Sequence, residues 1–96
     1  MISVNMVAAN VYEVVLEGSD ESIHRVTMSP ECYKQICGGT NTQEWVIIHA
    51  FRFMLEFEQR SEIAKKFDLS ELILRYEYFV IQMQDRLGYE ESPGSD

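Results

Sequence analysis

The segment between Trp45 and Phe57 constrains the fold of this chain more than any other. Read with a helical period, its apolar residues form two adjacent stripes instead of one. The two stripes are made of Ile47, Ile48, Phe51, Met54 and Leu55, and of Val46, Ala50, Phe53 and Phe57. The plainly polar row is narrow and consists of His49, Arg52, Glu56 and Gln59. The pattern predicts a helix that is central to the fold or buried on two sides, and it raises the hypothesis of a partner surface on residues 46–57.

Two segments that alternate between apolar and polar residues precede this helix, at residues 11–17 and 22–28. Residues 18–21, Gly-Ser-Asp-Glu, separate them and favour a turn. The alternation predicts a β-hairpin with one buried face. We expect that face to consist of Tyr12, Val14, Leu16, His24, Val26 and Met28.

The register of the hairpin follows from the requirement that the two buried faces coincide. We expect Leu16 to oppose His24, and Val14 to oppose Val26. This register needs a loop with an odd number of residues, such as residues 19–21. Such a turn should contain a bulge or a residue in the left-handed conformation.

Short local signals predict where the first two helices begin and end. Ser29 followed by proline is typical of an N-cap, so a short helix should run from Pro30 to about Cys37 and end at the glycine pair 38–39. Asn41 and Glu44 have capping-box spacing, which predicts that the long helix starts near Thr42.

The last helix has the clearest start signal in the chain. Asp68 and Glu71 have capping-box spacing, and Phe67 and Leu72 have the spacing of a hydrophobic staple. Beyond them, apolar residues recur at steps of three and four until Gly88, which predicts one long helix. Residues 61–66 are expected to form one or two helical turns before it.

The predicted fold class is α+β, mostly α, with an N-terminal two-stranded antiparallel hairpin packed on a bundle of two longer and two short helices. Residues 1–88 are expected to form a single domain, and residues 89–96 a disordered acidic tail. A two-stranded sheet leaves an unpaired edge on each side. Pairing between two chains would satisfy such edges, which motivates the hypothesis of a homodimer.

Four stretches of the chain match a known pattern: residues 24–31, His-Arg-Val-Thr-Met-Ser-Pro-Glu, the glycine pair 38–39, residues 51–56, Phe-Arg-Phe-Met-Leu-Glu, and residues 61–76. In these stretches the chain resembles a family of short bacterial proteins to which no activity has been assigned. In that family a hairpin precedes an F-x-F-L-L-E-R-E helix and an E-S-I-L-x-x-F-D-L-x-x-I-x-x-Y segment. Where the family has Phe-Pro after its Arg-Tyr pair, this chain has Glu77 and Tyr78, so we expect its last helix to continue. The resemblance implies a fold and brings no function.

Charge excludes several classes of partner. The chain carries 8 basic and 16 acidic residues, a formal net charge of −8, whereas nucleic-acid binding requires a basic surface.

The first ten residues contain no basic group that could start an export signal, and the longest apolar zone is too short and too interrupted to span a bilayer. Two cysteines are too few for a disulfide-stabilised secreted domain, so a cytoplasmic protein without nucleic-acid or membrane partners is expected.

Five residues of the long helix are candidates for contact with a protein partner: Trp45, His49, Arg52, Phe53 and Phe57. Tryptophan and arginine are enriched in the residues that dominate interface energy. The alternative for Trp45 is a structural role over the edge of the hairpin, since tryptophan is highly buried on average. The favoured function is a small acidic cytosolic interaction or regulatory domain that self-associates through residues 46–57 or through a sheet edge.

The alternative function is a small thiol-dependent enzyme that uses Cys32 or Cys37 with a histidine, either His24 or His49. A thiol near a helix N-terminus has a lowered pKa and becomes more reactive. No family signature surrounds either cysteine, so the chain is expected not to be an enzyme and no catalytic residue is assigned. The four side chains also lack the paired spacing of a zinc site, and no glycine-rich phosphate loop is present, so neither a metal nor a cofactor is expected.

Overall fold

The computed structural model describes residues 1–39 and 41–88 and has an α+β architecture. The predicted tail, residues 89–96, lies outside the described residues. The strands are β1 (Ile2–Ala8), β2 (Val11–Leu16), β3 (Ser22–Thr27) and β4 (Lys66–Asp68). The helices are α1 (Pro30–Cys37), α2 (Gln43–Phe57), α3 (Ser70–Arg75) and α4 (Phe79–Leu87), with a short 3-10 helix at Arg60–Glu62.

The sheet has four strands in the order β1-β2-β3-β4, so the expected two-stranded sheet is wrong. The first three strands are antiparallel, and β4 runs parallel to β3. The added strand β1 pairs along β2 with Val4 opposite Val14, and its register shifts between Met6 and Ala8. Asn10 takes a left-handed φ of 62° in the tight turn that follows, a conformation that asparagine tolerates better than most residues.

The predicted hairpin is present as β2 and β3, and its buried face consists of the expected residues. The register is wrong by two residues: Leu16 lies opposite Ser22, and Val14 lies opposite His24. A shift of two leaves every side chain on the same face, so the burial pattern fits both registers. The strands also end earlier than expected, so that residues 17–21 lie outside them, and Gly18 adopts a positive φ of 146° there.

The predicted boundaries of α1 are confirmed. The Ser29 hydroxyl accepts a hydrogen bond from the Cys32 amide at 3.1 Å, and Gly38 ends the helix in the left-handed conformation. For α2 the predicted N-cap is wrong by one residue, because Thr42 rather than Asn41 accepts from the Trp45 amide. The Asn41 carbonyl accepts instead from the Tyr33 hydroxyl.

The predicted start of the last helical region is confirmed near Asp68. The Asp68 carboxylate accepts from the Ser70 amide at 2.9 Å, and the Glu71 carboxylate accepts from the Asp68 amide at 3.2 Å. The residues just before it form β4 and the 3-10 helix rather than the expected helical turns.

The single long C-terminal helix that we expected is wrong, because the backbone becomes extended at Tyr76 and separates α3 from α4. The Tyr76 hydroxyl donates to the Glu58 carboxylate, and its ring packs edge-on against Phe53 at 5.1 Å. These contacts tie the break to the end of α2. The bundle therefore contains one long helix, α2, and three shorter ones.

The helix α2 lies in the core, as the wide apolar arc predicts. Its buried residues are Val46, Ile47, Ala50, Phe51, Phe53 and Met54. On one side, the Phe51 ring lies 5.5 Å from the His24 ring and 5.9 Å from the Phe67 ring, which joins α2 to the sheet. On the other side, Phe53 lies 5.2 Å from Phe79 of α4. Most of the arc is thus covered by this chain itself.

Replacement of Ser29 with alanine tests the cap of α1. Ser29→Ala removes the acceptor for the Cys32 amide, so the free energy of unfolding should fall by about 1 kcal/mol. The matched control is Ser19→Ala, at an exposed loop residue, which should change it by less than about 0.5 kcal/mol. Urea titration followed by circular dichroism measures both, and equal losses in the two variants would contradict the capping role.

Candidate functional site

The five interaction candidates on α2 do not form one continuous exposed surface. Trp45 is 43% exposed and Phe57 is 59% exposed, and Arg52 is exposed between them. Phe53 is only 3% exposed and lies beneath Phe57, with a ring distance of 5.0 Å. Phe53 therefore supports the surface from inside and is not available to a partner.

His49 is half-buried and lies beside Trp45 on α2. The indole ring meets the imidazole edge-on at 4.7 Å. Its buried Nε2 atom has no hydrogen-bond partner within the part of the chain that the structure describes. Burial lowers the pKa of His49 below its ordinary value, and the charges of Arg52 and Arg86 lower it further. His49 is thus held neutral and serves as packing beside Trp45.

An arginine of α4 closes the seam between α4 and α2. The Arg86 guanidinium donates to both carboxylate oxygens of Glu56 at 2.7 Å, and it lies over the Phe53 ring at 5.1 Å from the ring centroid. A two-pronged contact of this kind fixes orientation as well as charge. Glu56, one residue of the polar row of α2, is therefore paired within this chain.

The outer edge of β1 is the second candidate surface. No strand of residues 1–39 and 41–88 pairs with that side of β1. The strand has the sequence Ile-Ser-Val-Asn-Met-Val-Ala and contains neither a charged residue nor a proline. Charges and prolines are the usual means by which proteins block edge pairing, so this edge is open to another strand.

The third candidate is a buried polar group of β3 that joins the hairpin to a distant segment. The Ser22 Oγ atom lies 2.9 Å from His24 Nε2, and His24 Nδ1 lies 2.8 Å from the carbonyl oxygen of Ala64. Because a carbonyl only accepts, Nδ1 carries the proton and Nε2 accepts from the Ser22 hydroxyl. Ser22 is not among the residues that the sequence pattern marks as candidates. Its spacing of two from His24, which places both side chains on one face of a strand, was the signal that could have found it.

A cleft of about 650 Å³ opens beside this group, between the β2–β3 loop and the 3-10 helix. Its lining includes Ser22, Arg60 and Lys65, together with loop residues 18–21. The Arg60 guanidinium donates to backbone carbonyls of the hairpin, at 3.2 Å to Leu16 and 2.7 Å to Asp20. These bonds hold the two walls of the cleft together.

The structure does not favour the thiol hypothesis. Cys32 is only 4% exposed, and burial, reinforced by the charge of Asp68, raises the pKa of its thiol to about 11. Cys37 is fully buried. The imidazole of His24 is engaged by Ser22 and by the Ala64 carbonyl instead of by a thiol. A thiol kept protonated and buried is a poor nucleophile.

Across the described ranges, no cluster of three or more histidine, cysteine, aspartate or glutamate side chains could hold a metal ion. Among the helices of those same ranges, none has the length and apolarity needed to cross a membrane.

Comparisons with known proteins find no match for this chain. No family model, no curated protein and no solved structure matches it. The resemblance to short bacterial proteins therefore stays a prediction, and the proposals below rest on the chain's own contacts and chemistry.

The thiols offer a direct test of the thiol hypothesis. In the native protein, both Cys32 and Cys37 should react with Ellman's reagent far more slowly than a free thiol, because both are buried. In urea, both should react completely and fast. Rapid native reaction of either cysteine, identified by mass spectrometry of the labelled peptide, would revive the thiol hypothesis.

His24 should titrate below its ordinary pKa of 6.5, because burial disfavours the charged imidazole and the nearby cations Lys65 and Arg60 add to this effect. Below pH 6.5 the unfolded chain therefore binds more protons at His24 than the folded chain does. The contribution of His24 to the free energy of unfolding is complete above about pH 6.5 and is lost as the pH falls below that value. Proton–carbon NMR of the imidazole as a function of pH measures the midpoint. A midpoint at or above 6.5 is the contrary result.

Proposed function

We propose that this chain is a small protein-interaction domain that self-associates by pairing the β1 edges of two copies. The observation that carries the proposal is the open, uncharged outer edge of β1. An exposed edge of this kind is a template for strand addition, because its backbone donors and acceptors lack partners in the sheet.

The hydrogen bonds of β1 indicate which residues would pair. The Met1 carbonyl accepts from the Glu17 amide at 2.9 Å, so the backbone of Met1 is directed towards β2. In an antiparallel ladder the direction alternates, which directs the backbone groups of Ile2, Val4 and Met6 outward. These three residues would bind a second copy.

A two-fold axis through Val4 satisfies this pattern. Val4 of one copy then faces Val4 of the other, and Ile2 faces Met6 in both directions, so every outward group meets an outward group. The register shift between Met6 and Ala8 interrupts the regular ladder, which limits pairing to the first part of β1. The result would be one sheet of eight strands, four from each copy.

The β1 edge is a better candidate than the other surfaces that the sequence suggested. Most large apolar residues of 46–57 are buried in the core of this chain. The opposite sheet edge, β4, has only three residues and carries Lys66 and Asp68. Short charged edges resist pairing. The exposed rings of Trp45 and Phe57 are left as contacts for a different protein partner.

The charge and the cysteine content favour a cytosolic location for the proposed interaction domain. A net charge of −8 keeps a small domain soluble and opposes association with nucleic acid. Two cysteines are too few for a disulfide-stabilised secreted domain, which favours a reducing compartment. We therefore place the domain in the cytosol as part of the same proposal.

Met6→Lys tests the role of the β1 edge. Met6 is 54% exposed, so a lysine there should fold normally, yet it would place a charge beside the edge and weaken pairing. Sedimentation equilibrium should give a mass of about 22 kDa for the native protein, twice the 11.2 kDa of one chain, and a shift towards one chain for the variant.

Ile23→Lys is the matched control. Ile23 is 50% exposed and lies on β3, which has a neighbouring strand on each side. Ile23→Lys therefore makes the same change of charge as Met6→Lys, and a similar loss of exposed apolar surface, away from the β1 edge. Its mass should match that of the native protein. A native mass of 11.2 kDa throughout the micromolar range, or equal effects of the two lysines, would overturn the proposal.

A further inference from the structure

Ser22 and His24 have the arrangement of a nucleophile and its general base. Such a pair needs the two side chains within hydrogen-bond reach, and it needs a third group that orients the base. Here Ser22 Oγ lies 2.9 Å from His24 Nε2, and the Ala64 carbonyl holds Nδ1 at 2.8 Å. The free lone pair of the imidazole is therefore aimed at the hydroxyl proton of Ser22.

The pair is rigid because its surroundings fix both side chains. Ser22 and His24 lie on the inner face of β3, where β2 flanks them with Leu16 and Val14. The His24 ring packs on Phe51 of α2. Ala64 belongs to the segment that leads into β4, which is paired with β3. A catalytic group held by packing needs little reorganisation when it acts.

Ser22 also reaches the cleft of about 650 Å³, a size typical of small-ligand sites. Lys65 and Arg60 line the same cleft, and both are near enough to His24 for their charges to act on it. A negative charge that develops on a substrate bound at Ser22 would lie in the field of these two cations. The cleft thus combines a nucleophile, a base and positive charge.

We propose that Ser22 is the nucleophile and His24 the general base of an acyl-transfer site that hydrolyses small carboxylic esters. Ser22 Oγ forms a bond to the ester carbonyl carbon while its proton passes to His24 Nε2. The bond to the leaving alcohol then breaks, and the imidazolium returns the proton to the alcohol oxygen. Water repeats the sequence on the acyl-serine, releases the carboxylic acid and restores the Ser22 hydroxyl.

The chemistry differs from the thiol hypothesis in the nucleophile and in its location. A serine needs a neutral base beside it, and burial keeps His24 neutral at pH 7. Cys32 and Cys37 lack this arrangement, whereas Ser22, although 9% exposed, lies in the wall of the cleft. This site does not depend on self-association through β1, so each proposal can fail without the other.

A fluorophosphonate probe tests the nucleophile on the purified full-length chain. Intact-mass spectrometry should show one added probe, and peptide mapping should place it on Ser22. Hydrolysis of p-nitrophenyl acetate should fall at least tenfold in Ser22→Ala. The matched control is Ser70→Ala, at an exposed serine of α3 that does not line the cleft. That variant should still take up the probe at Ser22 and should hydrolyse p-nitrophenyl acetate as fast as the native protein.

The pH dependence supplies a readout that does not require a folded His24 variant. The labelling rate should fall at low pH with the same midpoint as the NMR titration of His24, whose neighbouring charges are Lys65 and Arg60. The proposal is overturned if Ser22 takes up no probe, or if folded Ser22→Ala hydrolyses the ester as fast as the native protein. A labelling rate that does not change as His24 titrates would remove His24 from the role of base.

Discussion

Phe51 and Phe53 lie on nearly opposite sides of α2, because two residues along a helix correspond to about 200° of rotation. The Phe51 ring meets His24 and Phe67 of the sheet, and the Phe53 ring meets Phe79 of α4. Burial of each ring is worth about 1.5–3 kcal/mol, so these two contacts help to hold the sheet and α4 on the two sides of α2. The buried histidine, β4 and the α3–α4 break each contact this helix, through the rings of His24, Phe67 and Tyr76.

Local signals in the sequence were sufficient where one residue determines a boundary. Ser29 and Gly38 marked helix ends correctly, and Asp68 marked one to within a residue, because caps act within one turn. The strand β1 was also within reach, since Ile2, Val4 and Met6 alternate with polar residues. In contrast, β4 has three residues and a partner strand some forty positions away, which no local pattern reveals. The α3–α4 break was hidden because the residues on both sides keep their core-facing spacing and contain no glycine or proline.

The candidate sites show a different limit. Composition and spacing identified the apolar arc of α2, yet they could not say which of its residues this chain would cover with its own helices. Phe53 and Phe57 look equivalent in sequence and differ in exposure because α4 folds back over only one of them. The Ser22–His24 pair needed the Ala64 carbonyl to define its chemistry, and that contact joins residues forty positions apart. A tautomer that depends on a distant backbone atom is invisible to pattern reasoning.

The unequal edges of the sheet determine how far strand pairing between copies can extend. A chain with two usable edges could add copies indefinitely and form a fibre. Here β1 is long and uncharged, whereas β4 is short and carries both Lys66 and Asp68. In the pairing proposed above, each copy would contribute its β1 edge, and a symmetric pair would use both edges. In the proposed pairing, strand addition would terminate at a closed complex of fixed stoichiometry, so the exposed β1 edge would be a finite binding site instead of an aggregation hazard.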